Sequence, residues 1–129
     1  IQIRPETKFG SNTRFDFLIT QKKLKAFIEV KNVTLSRIDT VAEFPDAVTS
    51  RGLKHINELI KANNMGYKIY ILYLVQRNDC NSFKIAKDID PEYSNSLSNA
   101  IKKKLNILCY DCKFSSKGIK INKKIKLKI

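Results

Sequence analysis

At 129 residues with 43% hydrophobic content, the chain is long enough for one domain with a real core. Its formal net charge of +13 points to an anionic partner, nucleic acid first and an acidic membrane surface second. No apolar run reaches the length of a membrane-spanning helix and no charged-then-apolar leader is visible, so the expectation is a soluble, cytoplasmic protein without a membrane role. Lysine supplies most of the charge. Arginine, the residue suited to bidentate phosphate recognition, is scarce, and part of the lysine excess is what an AT-rich genome produces.

Arg14 to Thr20 and Lys25 to Asn32 are rich in aromatic and β-branched residues and flank a short polar stretch, which predicts an antiparallel hairpin. Thr40 to Phe44 reads as a third strand, stopped at Phe44-Pro45-Asp46. Asp46 is a candidate N-cap for a helix over Ala47 to Ala62, with Val48, Leu53, Ile56, Leu59 and Ile60 at helical spacing. Asn63, Asn64 and Gly66 end it. Tyr67 to Val75 is nearly all apolar and predicts a central strand buried on both faces, with the polar Gln76 and Arg77 at its end. Asp90-Pro91 opens a second helix to about Lys104, striped by Tyr93, Leu97 and Ile101. Asn106 to Lys113 forms another strand and Ser115 to Gly118 a turn.

From Lys113 to Ile129 there are seven lysines and no acid, and Lys124, Lys126 and Lys128 alternate with Ile125, Leu127 and Ile129. That pattern predicts an edge strand with one basic face, which either tracks phosphates or blocks aggregation. Cys80, Cys109 and Cys112 are read as free buried thiols, because residues three apart on a strand face opposite ways and no second pair completes a zinc site. The order β-β-β-α-β-α-β-β gives an α/β mixed sheet flanked by helices.

The hairpin carries the chemistry. Strand alternation puts Phe27, Glu29 and Lys31 on one face. With an even loop around Lys22 and Lys23, Gln21 pairs with Leu24 and Asp16 falls opposite Glu29, at a Cβ separation of about 4.5–5.5 Å. Two carboxylates so close repel unless a cation lies between them, so the spacing predicts a hard divalent ion. Lys31 would then hold an attacking water or stabilise charge on a phosphate. A solvated strand face gives the same alternation, and an odd loop would send Asp16 to the other side.

RFDFLI, FIEVKNVTL, FPDAVTSRGLKHINEL, ILYLVQR and IDPEY, in that order, resemble the sugar fermentation stimulation protein A family. The resemblance implies a PD-(D/E)XK restriction-endonuclease-like core and a DNA-binding protein linked to regulation of sugar, notably maltose, metabolism. It assigns Asp16 and Glu29 as ligands of Mg²⁺ or Mn²⁺, the Val30 carbonyl as a further ligand and Lys31 as the catalytic lysine. An active metal-dependent endonuclease is the alternative to a regulator without turnover. Family members also carry an N-terminal OB-like domain; residues 1–129 are therefore expected to be a single nuclease-like domain lacking that part and the first core helix. Phe15 stands where the fold's name has proline. Glu6 and Asp46 are additional candidate acids, and Asp46 reads as a helix cap before it reads as a ligand, since the Glu-x-Lys precedes it. Arg51 and His55, one helical turn apart with Lys54 beside them, form a face that meets a phosphate or simply faces solvent. Lys120, Lys124, Lys126 and Lys128 complete the candidate nucleic-acid contacts.

Overall fold

The predicted hairpin forms with slightly longer strands. The protein is described here by a computed structural model covering residues 1–129. It runs through β1 (Gln2–Phe9), β2 (Thr13–Gln21), β3 (Leu24–Val33), β4 (Leu35–Ile38), β5 (Val41–Phe44), α1 (Ser50–Asn64), β6 (Lys68–Val75), β7 (Ser82–Ile85), α2 (Pro91–Lys102), β8 (Asn106–Ser115), β9 (Gly118–Lys124) and β10 (Lys126–Leu127). Gln21 pairs with Leu24 across Lys22 and Lys23, so the loop is even and the predicted register holds. Lys22 takes φ 56°, the left-handed conformation that a tight hairpin turn requires.

Six strands form the main sheet in the order β1-β2-β3-β6-β8-β9, and four form a second sheet in the order β10-β7-β5-β4. β3, β6 and β8 run parallel; β3 and β6 end together at Val33 and Val75, and β8 passes Asp111 beside Val75 and runs on to Ser115. The outer strands are antiparallel. The result is a mixed α/β fold.

Alternation along β6 fixes where the core lies. Ile69, Ile71, Tyr73 and Val75 are fully buried, whereas Tyr70, Leu72 and Leu74 between them stay partly exposed. The prediction of burial on both faces is therefore corrected: helices and second sheet stack on one side of the main sheet. Ile56 and Leu59 of α1 and Leu97 of α2 fill that side. Tyr73 is packed from the second sheet by Phe44 and Phe83, at ring-centroid distances of 5.4 and 4.7 Å. Its hydroxyl shares a buried hydrogen bond with that of Tyr93.

Two further readings change. The cap of α1 is Thr49, whose side chain accepts from the Gly52 N–H, and Asp46 is exposed upstream of it. The basic tail is not one strand. Lys124 ends β9, Ile125 turns inward at 2% exposure, and Lys126–Leu127 crosses to the second sheet beside β7. The physical cause is Ile125, whose burial beneath the sheet breaks the alternation of a flat edge strand. All three cysteines are free and buried. No helix is long and apolar enough to cross a membrane.

Candidate nucleic-acid interface and the adjoining acid, lysine and histidine cluster

Beyond Phe17 and Ile28 the β2–β3 ladder gives way, and side chains replace the missing main-chain bonds. The Val30 N–H donates to Asp16 Oδ2 at 2.7 Å, and the Asp16 N–H donates to Glu29 Oε1 at 3.3 Å. Asp16 thus lies across from Glu29, as the even loop requires. The two carboxylates are spent on backbone donors at the point where the strands separate.

Glu29 is 2% exposed and its second oxygen faces two cationic-type side chains. His55 Nδ1 lies 2.5 Å and Lys31 Nζ 3.8 Å from Glu29 Oε2, and Lys31 Nζ lies 2.8 Å from the same His55 nitrogen. One imidazole nitrogen carries at most one hydrogen, so it either donates to Glu29 or accepts from Lys31. Without a hydrogen on Nδ1 the buried Oε2 has no hydrogen-bond donor at all. Leaving a buried carboxylate oxygen unpaired is costly, which favours the tautomer with hydrogen on Nδ1.

Burial alone would raise the Glu29 carboxyl, but hydrogen bonds from His55 and Asp16 and the charges of His55 and Lys31 outweigh it and hold the pKa below the usual range. Asp16 moves the opposite way, to about 6, through burial first and the neighbouring Glu29 second. Lys31 is lowered, chiefly by burial and also by Arg51, against the pull of Glu29.

These contacts overturn the expected metal. No group of three or more His, Cys, Asp and Glu side chains in the structure could hold a metal ion. The predicted Mg²⁺ or Mn²⁺ cofactor, and with it the magnesium-dependent nuclease-like site, is withdrawn. The physical reason is visible in the pairings: Lys31 supplies the positive charge that the spacing argument gave to a cation, His55 faces the Glu29 carboxylate through Nδ1, and the Asp16 carboxylate is taken by the Val30 N–H. Glu6, with φ 48°, shares a shallow depression of about 400 Å³ with Asp16, Phe17, Val30 and Asn32. Gln76 and Arg77 stay outside the cluster, bound to Asn32 and to Asp79 and the Thr34 carbonyl.

His55 also lines a cleft of about 750 Å³ whose other walls are Lys8, Ser11, Asn12, Thr13, Arg14, Ser50, Arg51 and Lys54. No hydrophobic residue lines it. Lys8 comes from β1, Arg14 from β2, and Arg51 and Lys54 from the first turns of α1. Lys54 Nζ donates to the Asn12 carbonyl at 3.0 Å, tying helix to turn. None of these four cations is in an ion pair. The sequence reading found Arg51, Lys54 and His55 on one helix face. It missed Lys8, because strand β1, carrying Pro5 and mostly polar residues, gives little pattern to place it beside the helix, and it missed Arg14, because the approach of α1 to the start of the predicted β2 is a long-range contact.

Comparison with known proteins gives this arrangement a family. A model described as "Sugar fermentation stimulation protein RE domain" matches residues 1–118. The chain belongs to the sugar fermentation stimulation protein (SfsA) family. Sugar fermentation stimulation protein homologs from Pelagibacter ubique and Roseobacter denitrificans are 55% identical over 125 residues and 46% identical over 120. Those alignments cover 97% and 92% of this chain but 54% and 51% of the relatives, so the chain spans about half their length. A solved structure of Pyrococcus furiosus SfsA in complex with Ca²⁺ superposes with a TM-score of 0.87 at 28% identity, covering 98% of this chain and 54% of that one. The resemblance read from RFDFLI through IDPEY is thus shown.

Proposed function

We propose that this SfsA-family chain binds DNA through the basic cleft between the β1–β2 turn and the start of α1. The observation that carries the reading is the convergence of Lys8, Arg14, Arg51 and Lys54, none of them in an ion pair, on a cleft without hydrophobic lining. Arg51 and Lys54 are placed at the end of a helix where the macrodipole disfavours cations, and α1 has no acid in its first turn. An anion in the cleft relieves both the mutual repulsion and the dipole. Phosphodiester groups are the anions that a +13 chain with several such contacts is suited to bind.

In this reading Lys31, Glu29 and His55 act on the cleft from behind. The Glu29 carboxylate fixes the His55 ring, and with it one wall, while Arg51 lies close enough to Lys31 to lower its pKa. The core is read as PD-(D/E)XK-like in topology, supported by the acid on β2, the Glu-Val-Lys on β3 and α1 packed over them. One 20-residue hydrophobic cluster supports treating residues 1–129 as a single domain. Three free cysteines fit a reducing, cytoplasmic setting.

Fluorescence anisotropy with a labelled duplex tests the proposal. Wild type is expected to bind with log K falling steeply against log salt, and Arg51→Ala/Lys54→Ala to lower that slope by about 2. Binding that ignores salt, or a double variant identical to wild type, would remove the cleft as the interface.

A further inference from the structure

The main sheet does not end where its central strand ends. β6 stops at Val75, opposite Asp111, yet β8 continues from Cys112 to Ser115 paired with β9 from Ile121 back to Gly118. Beyond β6 the two strands form a ribbon about 13 Å long with no third strand beside it. Every residue from Lys113 to Lys124 is exposed. A two-stranded ribbon is marginal in water, and this one presents Phe114, Ile119 and Ile121 at 45%, 60% and 58% exposure.

Register sorts its side chains. Phe114 pairs with Ile119 and Cys112 with Ile121, so the apolar residues share one face. Lys113 pairs with Lys120 on the other face, Lys117 occupies the turn, and Lys123 and Lys124 stand at the base. No acid lies between Lys113 and Ile129 to neutralise them. An exposed apolar stripe framed by unopposed lysines marks an interaction surface, and its charge selects an anionic partner.

Position ties the ribbon to the cleft. Both lie at the edge where β3 and β6 end: Arg14 is at the start of β2, which runs antiparallel to β3, and Val33, Val75 and Asp111 are aligned. From β2 to β8 is three strand spacings, about 14 Å. That separation lies within one helical turn of duplex, about 34 Å.

We infer that the β8–β9 ribbon is a second DNA-gripping element, entering the major groove with Phe114, Ile119 and Ile121 toward the base edges while its lysines reach the phosphates on the groove walls. The major groove, about 12 Å wide, admits a two-stranded ribbon, and the apolar groups it offers are the thymine methyls. Flexible lysine stems on the outer face are long enough to bend to the walls. This inference rests on the DNA-binding reading of the cleft and adds a separate contact to it.

The experiment compares wild type, Lys113→Ala/Lys120→Ala, Phe114→Ser/Ile119→Ser and Arg51→Ala/Lys54→Ala on one labelled duplex across a salt series, with thermal melts to show that each variant folds. The lysine variant is expected to lower the salt slope by about 2. Replacing thymine by deoxyuridine throughout the duplex removes the methyls and is expected to weaken wild type several-fold while leaving Phe114→Ser/Ile119→Ser unchanged. Two folded ribbon variants that bind both duplexes like wild type, beside a weakened cleft variant, would overturn the ribbon and leave the cleft standing. Absence of binding by wild type would overturn both. Phosphatidylserine vesicles that pellet wild type but not Phe114→Ser/Ile119→Ser, with DNA affinity equal in the two, would assign the ribbon to a lipid surface instead.

Discussion

Asp16 carries a proton more tightly in the fold than an ordinary carboxyl does, and that has a measurable consequence. Its pKa is raised to about 6 by burial and by Glu29, so the proton it holds stabilises the native state below about pH 4, and that stabilisation is lost as pH rises through 6. Asp16→Asn keeps an oxygen for the Val30 N–H and removes the charge facing Glu29. Denaturant melts of the two proteins should differ little at pH 4 and diverge by about 1 kcal/mol in favour of the variant by pH 8, a figure discounted for partial exposure. A difference independent of pH would refute this account. His55→Ala should be costlier at every pH where Glu29 is ionised, because Oε2 then loses its only close donor; about 2–3 kcal/mol is expected in the same melts, with His55→Gln recovering part of it.

At the scale of elements, the start of α1 distinguishes pattern from packing. Asp46 has the residue type of a cap, yet the chain leaves β5 through Pro45 and reaches the helix only at Ser50. Thr49 then caps Gly52, while its own N–H is taken by Asp90, the cap of α2, at 2.9 Å. The two helix starts are joined through one carboxylate, which also accepts from the Tyr93 N–H. Thr49→Ala should therefore lower stability by about 1 kcal/mol in urea titrations, and Asp46→Ala should stay within about 0.5 kcal/mol. Equal losses in the two would show that the cap lies at Asp46 after all. Spacing placed α2 almost to the residue because Asp90-Pro91 is a local signal. The short strands β4 and β7 carry no comparable signal and owe their existence to each other's company in the second sheet.

For the molecule as a whole, the two sheets share one core through aromatic contacts. Phe83 of β7 sits on Tyr73 of β6, and Phe44 of β5 touches both Tyr73 and Tyr93. Phe83→Ala should cost about 3–5 kcal/mol, and unfolding followed by far-UV circular dichroism and by tyrosine fluorescence should remain a single coincident transition. Separate transitions would mean that the second sheet is an independent unit. The amino-acid order by itself determined the hairpin, both helices and the mixed sheet, because turn chemistry and side-chain period are local properties; it left two registers open, and the folded hairpin takes the even one that sets Asp16 across from Glu29. Nor could the amino-acid order supply the partner of Glu29. His55 lies 26 residues further along the chain and reaches that carboxylate only because α1 packs across β3; with its ring and Lys31 in place, the charge that spacing gave to a metal is already answered. Tertiary packing likewise decided which lysines project from the edge of the parallel strands and which, beyond the buried Ile125, pass into the second sheet. Long-range contact is a property of the folded chain, and no local pattern in the sequence encodes it.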